Sequence, residues 1–391
     1  MRNRPTQSTV LAALAIALLA PMSWAQDAIE ARTTTDVIFQ PPQAQPVVQL
    51  AILLDTSNSM DGLIHQAKTQ LWRMVNQFIA VRRDGRRPRL YVALYEYGNN
   101  GLTAESGHIR RVLPLTDDLD RVSQELFALS TNGGHEFCGQ VIERAVAQLA
   151  WSNNPDDYRA IFIAGNEPFT QGPMDYRSSC RAAIARGITV NTIHCGTFGD
   201  GVNGHWKTGA LLADGKYLNI DQNKVSAPID APQDPIMLQL NERLNDTYVP
   251  YGRRGRAGKM NQIAQDRNAE SAGVSNLAMR AATKQSHLYC NDSWDLCDAV
   301  QNGRVKLEQV KAADLPEPMK KMTVEQRRTY IEQQLARRAQ IKEQLARISA
   351  QREQHVSAEM RKRAETGEDS LDEAVIKVVR EQAAQKRFKF E

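Results

Sequence analysis

The sequence has little net charge and lacks the motifs that mark common enzymes. Its 391 residues contain 49 Lys and Arg against 45 Asp and Glu, a formal net charge of +4. This charge is too small and too scattered to indicate a nucleic-acid partner. No G-x-S-x-G, H-E-x-x-H or phosphate-loop pattern is present. We therefore expect a protein that is not an enzyme and does not bind nucleic acid.

Apolar runs long enough to span a bilayer are also missing. The longest begins near the N-terminus, where two arginines precede the apolar stretch Val10–Ala20 and Ser23-Trp24-Ala25 follows it. A positive start, a short apolar core and a small-x-small ending are typical of a signal peptide, and the stretch is shorter than the ~20 residues of a membrane-spanning helix. The sequence predicts a signal peptide at 1–25, cleaved near Ala25, and a flexible leader at 26–46. The mature chain would be periplasmic or extracellular, without a transmembrane segment; a retained N-terminal anchor is the alternative.

Cysteines are few, and none has the spacing of a zinc site. There are five, with no C-x-x-C pair, so the usual structural zinc motifs are excluded. Export would allow disulfides, with at least one cysteine unpaired in a monomer. Cys290 and Cys297 are the predicted pair because a short loop separates them. The remaining three compete for any second bridge: Cys138, Cys180 and Cys195.

The most informative segment is Gln49–Ser59, which reads QLAILLDTSNS. Its unbroken apolar half predicts a strand buried on both faces. Asp55, Ser57 and Ser59 then place hard oxygen donors at the carboxyl end of that strand, where open α/β sheets bind ligands. Such donors suit Mg²⁺, Mn²⁺ or Ca²⁺ better than zinc or copper. An amphipathic helix from about Ile64 to Phe78 follows at once.

Strand and helix patterns alternate further along the chain. This alternation predicts an α/β fold with a doubly wound, mostly parallel sheet and helices on both faces. We place this domain at 47–250. The predicted elements include a buried strand at 89–98, an edge strand at 110–115, a helix at 118–129, a Gly-rich loop and helix within 131–151, and a central strand from Tyr158.

At these residues the sequence resembles the von Willebrand factor type A (VWA) domain family, whose first strand carries Asp-x-Ser-x-Ser as the first loop of a metal-ion-dependent adhesion site. The resemblance covers about half of the chain. It implies a doubly wound α/β fold, a divalent cation and a protein partner. The family's second loop supplies a threonine after a Gly pair, but here Gly133-Gly134 precede His135 and Glu136. Its third loop reads Thr-Asp-Gly, but here Gly165-Asn166-Glu167 stands. The site is therefore degenerate.

Two interpretations of this degenerate site stay open. In the first, Glu136 together with Asn166 or Glu167 replaces the missing oxygens and helps Asp55, Ser57 and Ser59 to hold Mg²⁺ or Ca²⁺. In the second, the metal is lost and the loops keep a polar contact surface. The imidazole of His135 is a poor ligand for these hard cations, and Thr131 ranks below Glu136 as a substitute.

The C-terminal part differs in character from the domain before it. A mixed extension at 251–318, with a flexible basic turn GRRGRAG and one helix from Lys259 to Ser286, is expected to pack on the domain. A helical tail occupies 319–391. Its first helix, 322–363, begins with the capping box of Thr323 and Gln326 and has a thin apolar stripe that Arg338 and Arg352 interrupt. We expect a largely exposed helical hairpin, with a dimerising coiled coil or a membrane-surface element as alternatives.

The sequence thus predicts an exported binding protein that contacts a protein partner in the cell envelope through a divalent-cation site. One alternative is an envelope assembly protein that works through its helical tail. A second alternative is an exported hydrolase in which Glu136 and Glu167 act as an acid/base pair. The oligomeric state is left open.

Overall fold

The computed structural model describes residues 45–220, 229–365 and 371–390, and a six-stranded sheet forms the core of this part. The strands lie in the order β3-β2-β1-β4-β5-β6; β3 is antiparallel to β2, and the other neighbours pair in parallel. This mostly parallel sheet confirms the predicted fold class. The strands are β1 (Val47–Asp55), β2 (Arg89–Tyr97), β3 (Ile109–Thr116), β4 (Tyr158–Gly165), β5 (Thr189–Cys195) and β6 (Tyr217–Ile220).

Helices cover both faces of the sheet and form the C-terminal part of the chain. Those of the described residues are α1 (Asp61–Asn76), α2 (Leu119–Ala128), α3 (Cys138–Gln148), α4 (Tyr176–Ala185), α5 (Phe198–Asn203), α6 (Trp206–Leu212), α7 (Asp234–Asn245), α8 (Gly252–Ser271), α9 (Val274–Gln285), α10 (Leu296–Gln301), α11 (Glu317–Lys320), α12 (Val324–Glu365) and α13 (Leu371–Gln385).

The first strand is buried on both faces, as its apolar run predicts. Leu50 and Leu54 belong to the core beneath α1, α2 and α13, whereas Ala51 and Leu53 belong to the core beneath α3, α4 and α6. Alternate side chains of a strand point to opposite faces, so a strand between two helical layers must be apolar throughout. This burial fixes the register of β1 and with it the position of Asp55 at the strand's end.

The predicted leader and signal peptide lie almost entirely outside the described residues, which begin at residue 45. Among the helices that the structure describes, none is both long and apolar enough to cross a membrane.

The helices after the sheet differ from the prediction in two places. The segment predicted as a flexible basic turn, GRRGRAG, is the first part of α8. The single helix predicted from Lys259 to Ser286 is broken into α8 and α9 at Gly273, whose φ of 127° is unfavourable for residues with a side chain. The break lets α9 fold back against α8 and α1.

The long helix α12 has one buried face that its thin stripe does not predict. Ile331, Arg338, Leu345 and Arg352 recur at seven-residue intervals and are all buried. Such a repeat is typical of helices that pack along a seam. Here the seam lies against α7, α9 and α10 of the same chain. The two arginines predicted to interrupt the stripe therefore belong to it.

Both arginines are buried because carboxylates face them. Arg338 Nη1 lies 2.8 Å from Asp295 and 2.7 Å from Asp298, and Arg352 Nε lies 2.6 Å from Asp234. A buried charge without a partner is strongly destabilising, so these ion pairs are required for α12 to pack where it does.

A second group of buried charges joins α2 to α8 and α9. Arg280 is fully buried and pairs with Asp120 at 2.8 Å and Asp266 at 2.6 Å, while Lys284 lies 3.0 Å from Asp266. Burial lowers the pKa of Lys284 to about 8 although Asp266 opposes this. Burial alone would raise the pKa of Asp266, but Lys284 and Arg280 together hold it below its usual range. The helices after the sheet are thus tied to the sheet's own helical layer.

The end of the chain is also packed within the molecule. Gln382 on α13 accepts hydrogen bonds from Tyr158 Oη (2.9 Å) and Asn191 Nδ2 (3.0 Å). Phe388 is buried beneath the guanidinium of Arg83. The end of the helical tail therefore places Phe388 in the core.

The predicted disulfide between Cys290 and Cys297 is not formed, and the cysteines of the described residues are all free. Cys290 is exposed, and its sulfur accepts a hydrogen bond from Asn302. Cys297 is buried, with its sulfur 3.8 Å from the Thr247 carbonyl oxygen. The short loop does not bring the two thiols together because Cys297 faces inward from α10.

Candidate metal centre

Three loops meet at the carboxyl edge of the sheet. β1 and β4 are parallel neighbours, with Leu54 opposite Ala164, so Asp55 and Gly165 end their strands side by side. The loop before α3 reaches the same edge, where an interloop hydrogen bond joins the Gly133 amide to Asn58 Oδ1 at 2.8 Å. The structure therefore brings together the loops that carry the predicted ligands.

Asp55 is the most deeply buried of these ligands, with no exposed surface. Its Oδ1 accepts a hydrogen bond from the Ser57 amide at 2.7 Å. Its Oδ2 has no partner among the residues that the structure describes. Burial raises the pKa of Asp55 to about 7, and the nearby charge of Glu167 adds to this increase.

Glu136 is also buried and carries a second open oxygen. The residue is 4% exposed, and its Oε2 finds no hydrogen-bond partner within the described part of the chain. Burial raises the pKa of Glu136 to about 8, and the charge of Asp55 contributes to this shift. Glu136 thus lies at the carboxyl edge of the sheet, in the loop for which the resemblance to the VWA family predicts a threonine ligand.

Asn166 supplies a third open oxygen and joins the hydroxyl groups. Its Nδ2 donates to Ser59 Oγ at 3.0 Å, and the Oγ atoms of Ser57 and Ser59 are 3.2 Å apart. Its Oδ1 is buried and unpartnered in the ranges described. Ser57 is buried whereas Ser59 is exposed, so the group extends from the interior to solvent.

Glu167, the alternative third-loop ligand, is engaged elsewhere. Its Oε2 accepts a hydrogen bond from Gln171 Nε2 at 3.1 Å, and its carbonyl accepts one from Trp206 Nε1 at 2.8 Å. Its charge nevertheless raises the pKa of Asp55 and Glu136. Between the two third-loop candidates, Asn166 has the open oxygen and Glu167 adds negative charge.

The two residues ranked low in the sequence analysis have other contacts. Thr131 Oγ1 donates to Asp61 Oδ1 at 2.5 Å. His135 is exposed, and its ring stacks near Phe137 at a centroid distance of 6.0 Å. Neither side chain contacts Asp55 or Glu136 through a described hydrogen bond.

This arrangement can be compared with known proteins. Residues 49–208 match the von Willebrand factor type A domain. The six-stranded sheet flanked by helices is the fold of that domain. No protein of curated function matches the sequence.

Solved structures similar to this chain include a VWA domain. BatB from Bacteroides thetaiotaomicron is 19% identical over 44% of this chain and 90% of its own, with a TM-score of 0.34. The SpRpn10 VWA domain is 16% identical over 45% and 88%, with a TM-score of 0.34. Proximal thread matrix protein 1 of the mussel byssus is 11% identical over 46% and 43%, with a TM-score of 0.35, so this chain spans less than half of that protein.

Two glycines of the VWA domain, to which the sequence assigned no role in the site, make room for the carboxylate of Asp55. Gly98 follows β2 with a φ of +79°, and a Cβ added there would lie 2.7 Å from Asp55 Oδ1 and 2.8 Å from Glu136 Cγ. A Cβ on Gly165 would lie 3.1 Å from Asp55 Oδ2. The signal in the sequence is a glycine at the carboxyl end of each strand that adjoins β1.

His194 supports the third loop of the VWA domain from β5. Its Nε2 lies 3.2 Å from the Asn166 carbonyl oxygen, and Asn219 Nδ2 lies 3.3 Å from its Nδ1. Because the amide of Asn219 donates to Nδ1, Nε2 carries the hydrogen that binds Asn166. His194 therefore lies behind the third loop and holds its backbone.

The donor set of the VWA domain fits a hard divalent cation. The side chains of Asp55, Glu136 and Asn166 each present a buried oxygen without a partner in the described residues. Carboxylate, amide and hydroxyl oxygens are the ligands of Mg²⁺ and Ca²⁺. The described residues contain no cluster of three or more His, Cys, Asp or Glu side chains suited to a metal. A cation here would therefore depend on Ser57, Ser59 and Asn166 as well as on the carboxylates.

Proposed function

We propose that this chain is a binding protein whose VWA domain holds a divalent cation and contacts a protein partner through it. The observation that carries the proposal is the presence of three buried, unpartnered oxygens, on Asp55, Glu136 and Asn166, in loops that meet at one edge of the sheet. More than about 90% of buried polar groups in proteins are hydrogen-bonded, and each unsatisfied one costs about 1–3 kcal/mol. One cation would give all three oxygens a partner.

The charge of the centre supports the same proposal. Asp55 and Glu136 are buried close together, and Glu167 adds a third negative charge nearby. Carboxylates in this arrangement repel one another unless a proton or a cation lies between them. Mg²⁺ or Ca²⁺ would remove that repulsion. This centre would bind the cation more tightly than a site with a single carboxylate would. The cation would in turn attract an acidic partner group less strongly.

The centre can be reached from outside the molecule. Ser59 and Asn58 are exposed, and Asn166 is half-buried. A partner could therefore supply an oxygen to the cation while it contacts the surrounding loops. We place this partner in the cell envelope because the N-terminal sequence predicts export.

Cation-dependent capture tests the proposal. The purified chain would be immobilised and exposed to envelope proteins in millimolar Mg²⁺ or Ca²⁺, and in chelator. We expect a defined partner to be retained only with the cation, and to be lost with Asp55→Ala. Asp117→Ala is the matched control because Asp117 is exposed and pairs with Arg89 at the opposite edge of the sheet.

Retention that is equal in chelator, and equal for Asp55→Ala, would contradict the cation-dependent mechanism. The loops would then act as a metal-free contact surface. The envelope assembly protein and the exported hydrolase stay predictions, and no described contact favours either over cation-dependent binding.

A further inference from the structure

A basic groove is lined chiefly by the helices α1, α12 and α13. Its volume is about 1330 Å³. Arg352 lines it but pairs with Asp234. Among the other side chains that the structure describes there, two are acidic, Glu353 and Glu381. Six are basic: Arg73, Arg82, Arg87, Arg361, Lys377 and Arg380. The described lining therefore carries an excess of positive charge.

This groove is remote from the metal centre. The helix α1 begins with Asp61, directly after the loop that carries Ser57 and Ser59, and ends with Asn76. Asn76 lines the groove. An α-helix rises about 1.5 Å per residue, so α1 separates the two places by about 20 Å. A ligand in the groove would therefore bind independently of the proposed cation.

The guanidinium groups of two arginines lie within the groove. Arg380 Nε donates to Gln77 Oε1 at 3.0 Å, and the Arg380 guanidinium lies 5.7 Å from the centre of the Phe390 ring. Arg73 Nη2 lies 2.8 Å from Met360 Sδ, so this side chain reaches from α1 to α12. All three contacted residues also line the groove. These contacts place positive charge inside it.

The wall that α12 contributes to the groove has small side chains. Ala346, Ser349, Ala350 and Ser357 all line it. They are spaced by three, four and seven residues, so they share one face of the helix. The distance between packed helix axes depends on the side chains at the contact, so this face would let another helix approach closely. The α12 residues 346–361 extend for about 22 Å.

The size and lining of the groove favour a helix over other anionic ligands. Small-molecule pockets usually have volumes of about 300–1,000 Å³, and this groove is larger. Single-stranded nucleic acids stack their bases on aromatic side chains, but of the described residues that line the groove Phe390 alone is aromatic. Elements that bind a membrane surface turn their basic and apolar side chains outward, whereas these side chains surround a concave space.

We propose that this groove binds an acidic amphipathic helix of a partner protein. The apolar face of that helix would lie on half-buried side chains such as Met279 and Ile376. Its Asp and Glu side chains would face Arg361, Lys377 and Arg380, which are exposed. Recognition of this kind uses apolar anchors at i, i+3, i+4 and i+7. A helix of about 14 residues matches the length of the groove.

Three synthetic peptides of about 14 residues test this proposal. The glutamate peptide has leucines at the anchor spacing and mainly glutamate elsewhere. The lysine peptide has lysine in place of every glutamate, and the scrambled peptide has the composition of the first without its spacing. Fluorescence anisotropy would measure their binding to the full chain in about 150 mM salt, where distant charges are screened. We expect a Kd of about 100 μM or tighter for the glutamate peptide and at least about tenfold weaker binding of the other two.

Variants locate the binding. Ala350→Trp would fill the groove and should weaken binding of the glutamate peptide at least about tenfold, and Lys377→Glu should weaken it at least about threefold. Ala339→Trp and Lys207→Glu are the matched controls, because both positions are exposed and neither lines the groove. They should leave the affinity unchanged. Chelator and Asp55→Ala should also leave it unchanged, so failure of this proposal is distinguishable from failure of the cation site.

No binding of the glutamate peptide up to about 1 mM would overturn the proposal. So would equal affinity for the lysine or the scrambled peptide, or binding that Ala350→Trp does not weaken. Sedimentation of the chain with phosphatidylglycerol vesicles, without peptide binding, would assign the groove to a membrane and overturn the proposal as well. The comparison of the three peptides needs no variant, so it decides the question even if a variant does not fold.

Discussion

The charge of Asp55 increases the tendency of Glu136 to stay protonated at the sheet edge. Burial is the larger cause of the raised pKa of Glu136, the negative charge of Asp55 adds to it, and together they bring this pKa to about 8. The pKa of Asp55 itself is raised to about 7, chiefly by burial. Two buried carboxyl groups in this relationship cannot both be ionised at neutral pH without a compensating charge. The centre therefore holds a proton or a cation, and the two compete.

This competition predicts how stability depends on pH when chelator is present. Folding raises the pKa of Glu136, so between about pH 5 and 7.5 the folded chain binds more protons than the unfolded one. The free energy of unfolding must then fall as the pH rises through this window. For Glu136 alone the loss is about 3 kcal/mol, measured by urea denaturation at each pH.

The comparison protein for this experiment is Glu136→Gln. His194 and His287 have lowered pKa values, so they contribute a change of opposite sign in the acidic part of the window. The difference between wild type and Glu136→Gln cancels their contribution, because both proteins contain both histidines. Parallel curves for the two proteins would show that Glu136 is not perturbed.

Gly98→Ala should weaken the metal centre through a direct clash. Its added Cβ would lie 2.7 Å from Asp55 Oδ1, so the carboxylate must move. Gly85→Ala is the matched control because Gly85 also has a positive φ (+74°) but nothing lies within 4 Å of its added Cβ. Each substitution should cost about 1 kcal/mol in backbone strain.

Only Gly98→Ala should also weaken Mg²⁺ or Ca²⁺ binding, by about tenfold or more. Calorimetric titration of both variants measures this. Equal affinities in Gly98→Ala and Gly85→Ala would show that Gly98 does not shape the centre.

The sequence predicted part of this centre well and part of it poorly. Asp55 follows an apolar strand whose burial on both faces leaves a single register, so its place at the sheet edge could be predicted. Which of Asn166 and Glu167 presents the open oxygen could not be predicted, because it depends on the hydrogen bonds that Gln171 and Trp206 donate to Glu167. The Trp206 hydrogen bond forms only when α6 packs beside the third loop.

Arg338→Met should destabilise the protein by about 3–5 kcal/mol. The substitution keeps an apolar side chain in the seam but leaves the buried carboxylates of Asp295 and Asp298 without their cation. Chemical denaturation measures the change. Arg337→Met is the matched control, since Arg337 is exposed and lies 3.6 Å from exposed Asp246; it should cost less than about 1 kcal/mol. Equal losses for the two variants would contradict the role of the buried pair.

The position of α12 shows why its buried face could not be predicted from the sequence. In a sequence, an arginine within the apolar stripe of a helix indicates that the stripe faces solvent. This interpretation fails when a carboxylate is buried opposite the arginine. Asp234, Asp295 and Asp298 are remote from α12 in the sequence, and nothing local marks them as its partners. The helix itself and its capping box were predictable from local sequence. In the structure, Gln326 Oε1 accepts a hydrogen bond from the Thr323 amide, and Thr323 Oγ1 accepts one from the Gln326 amide.

The most direct test of the account is the melting temperature of the full chain with Mg²⁺, Ca²⁺ or Mn²⁺ and with chelator. Binding to the folded state should stabilise it by about 2.7 kcal/mol when the free cation is about 100 times its Kd. We predict a higher melting temperature with at least one of these cations, no such response in Asp55→Ala, and a normal response in Asp117→Ala. A wild-type melting temperature that is the same in millimolar cation and in chelator would contradict the metal centre.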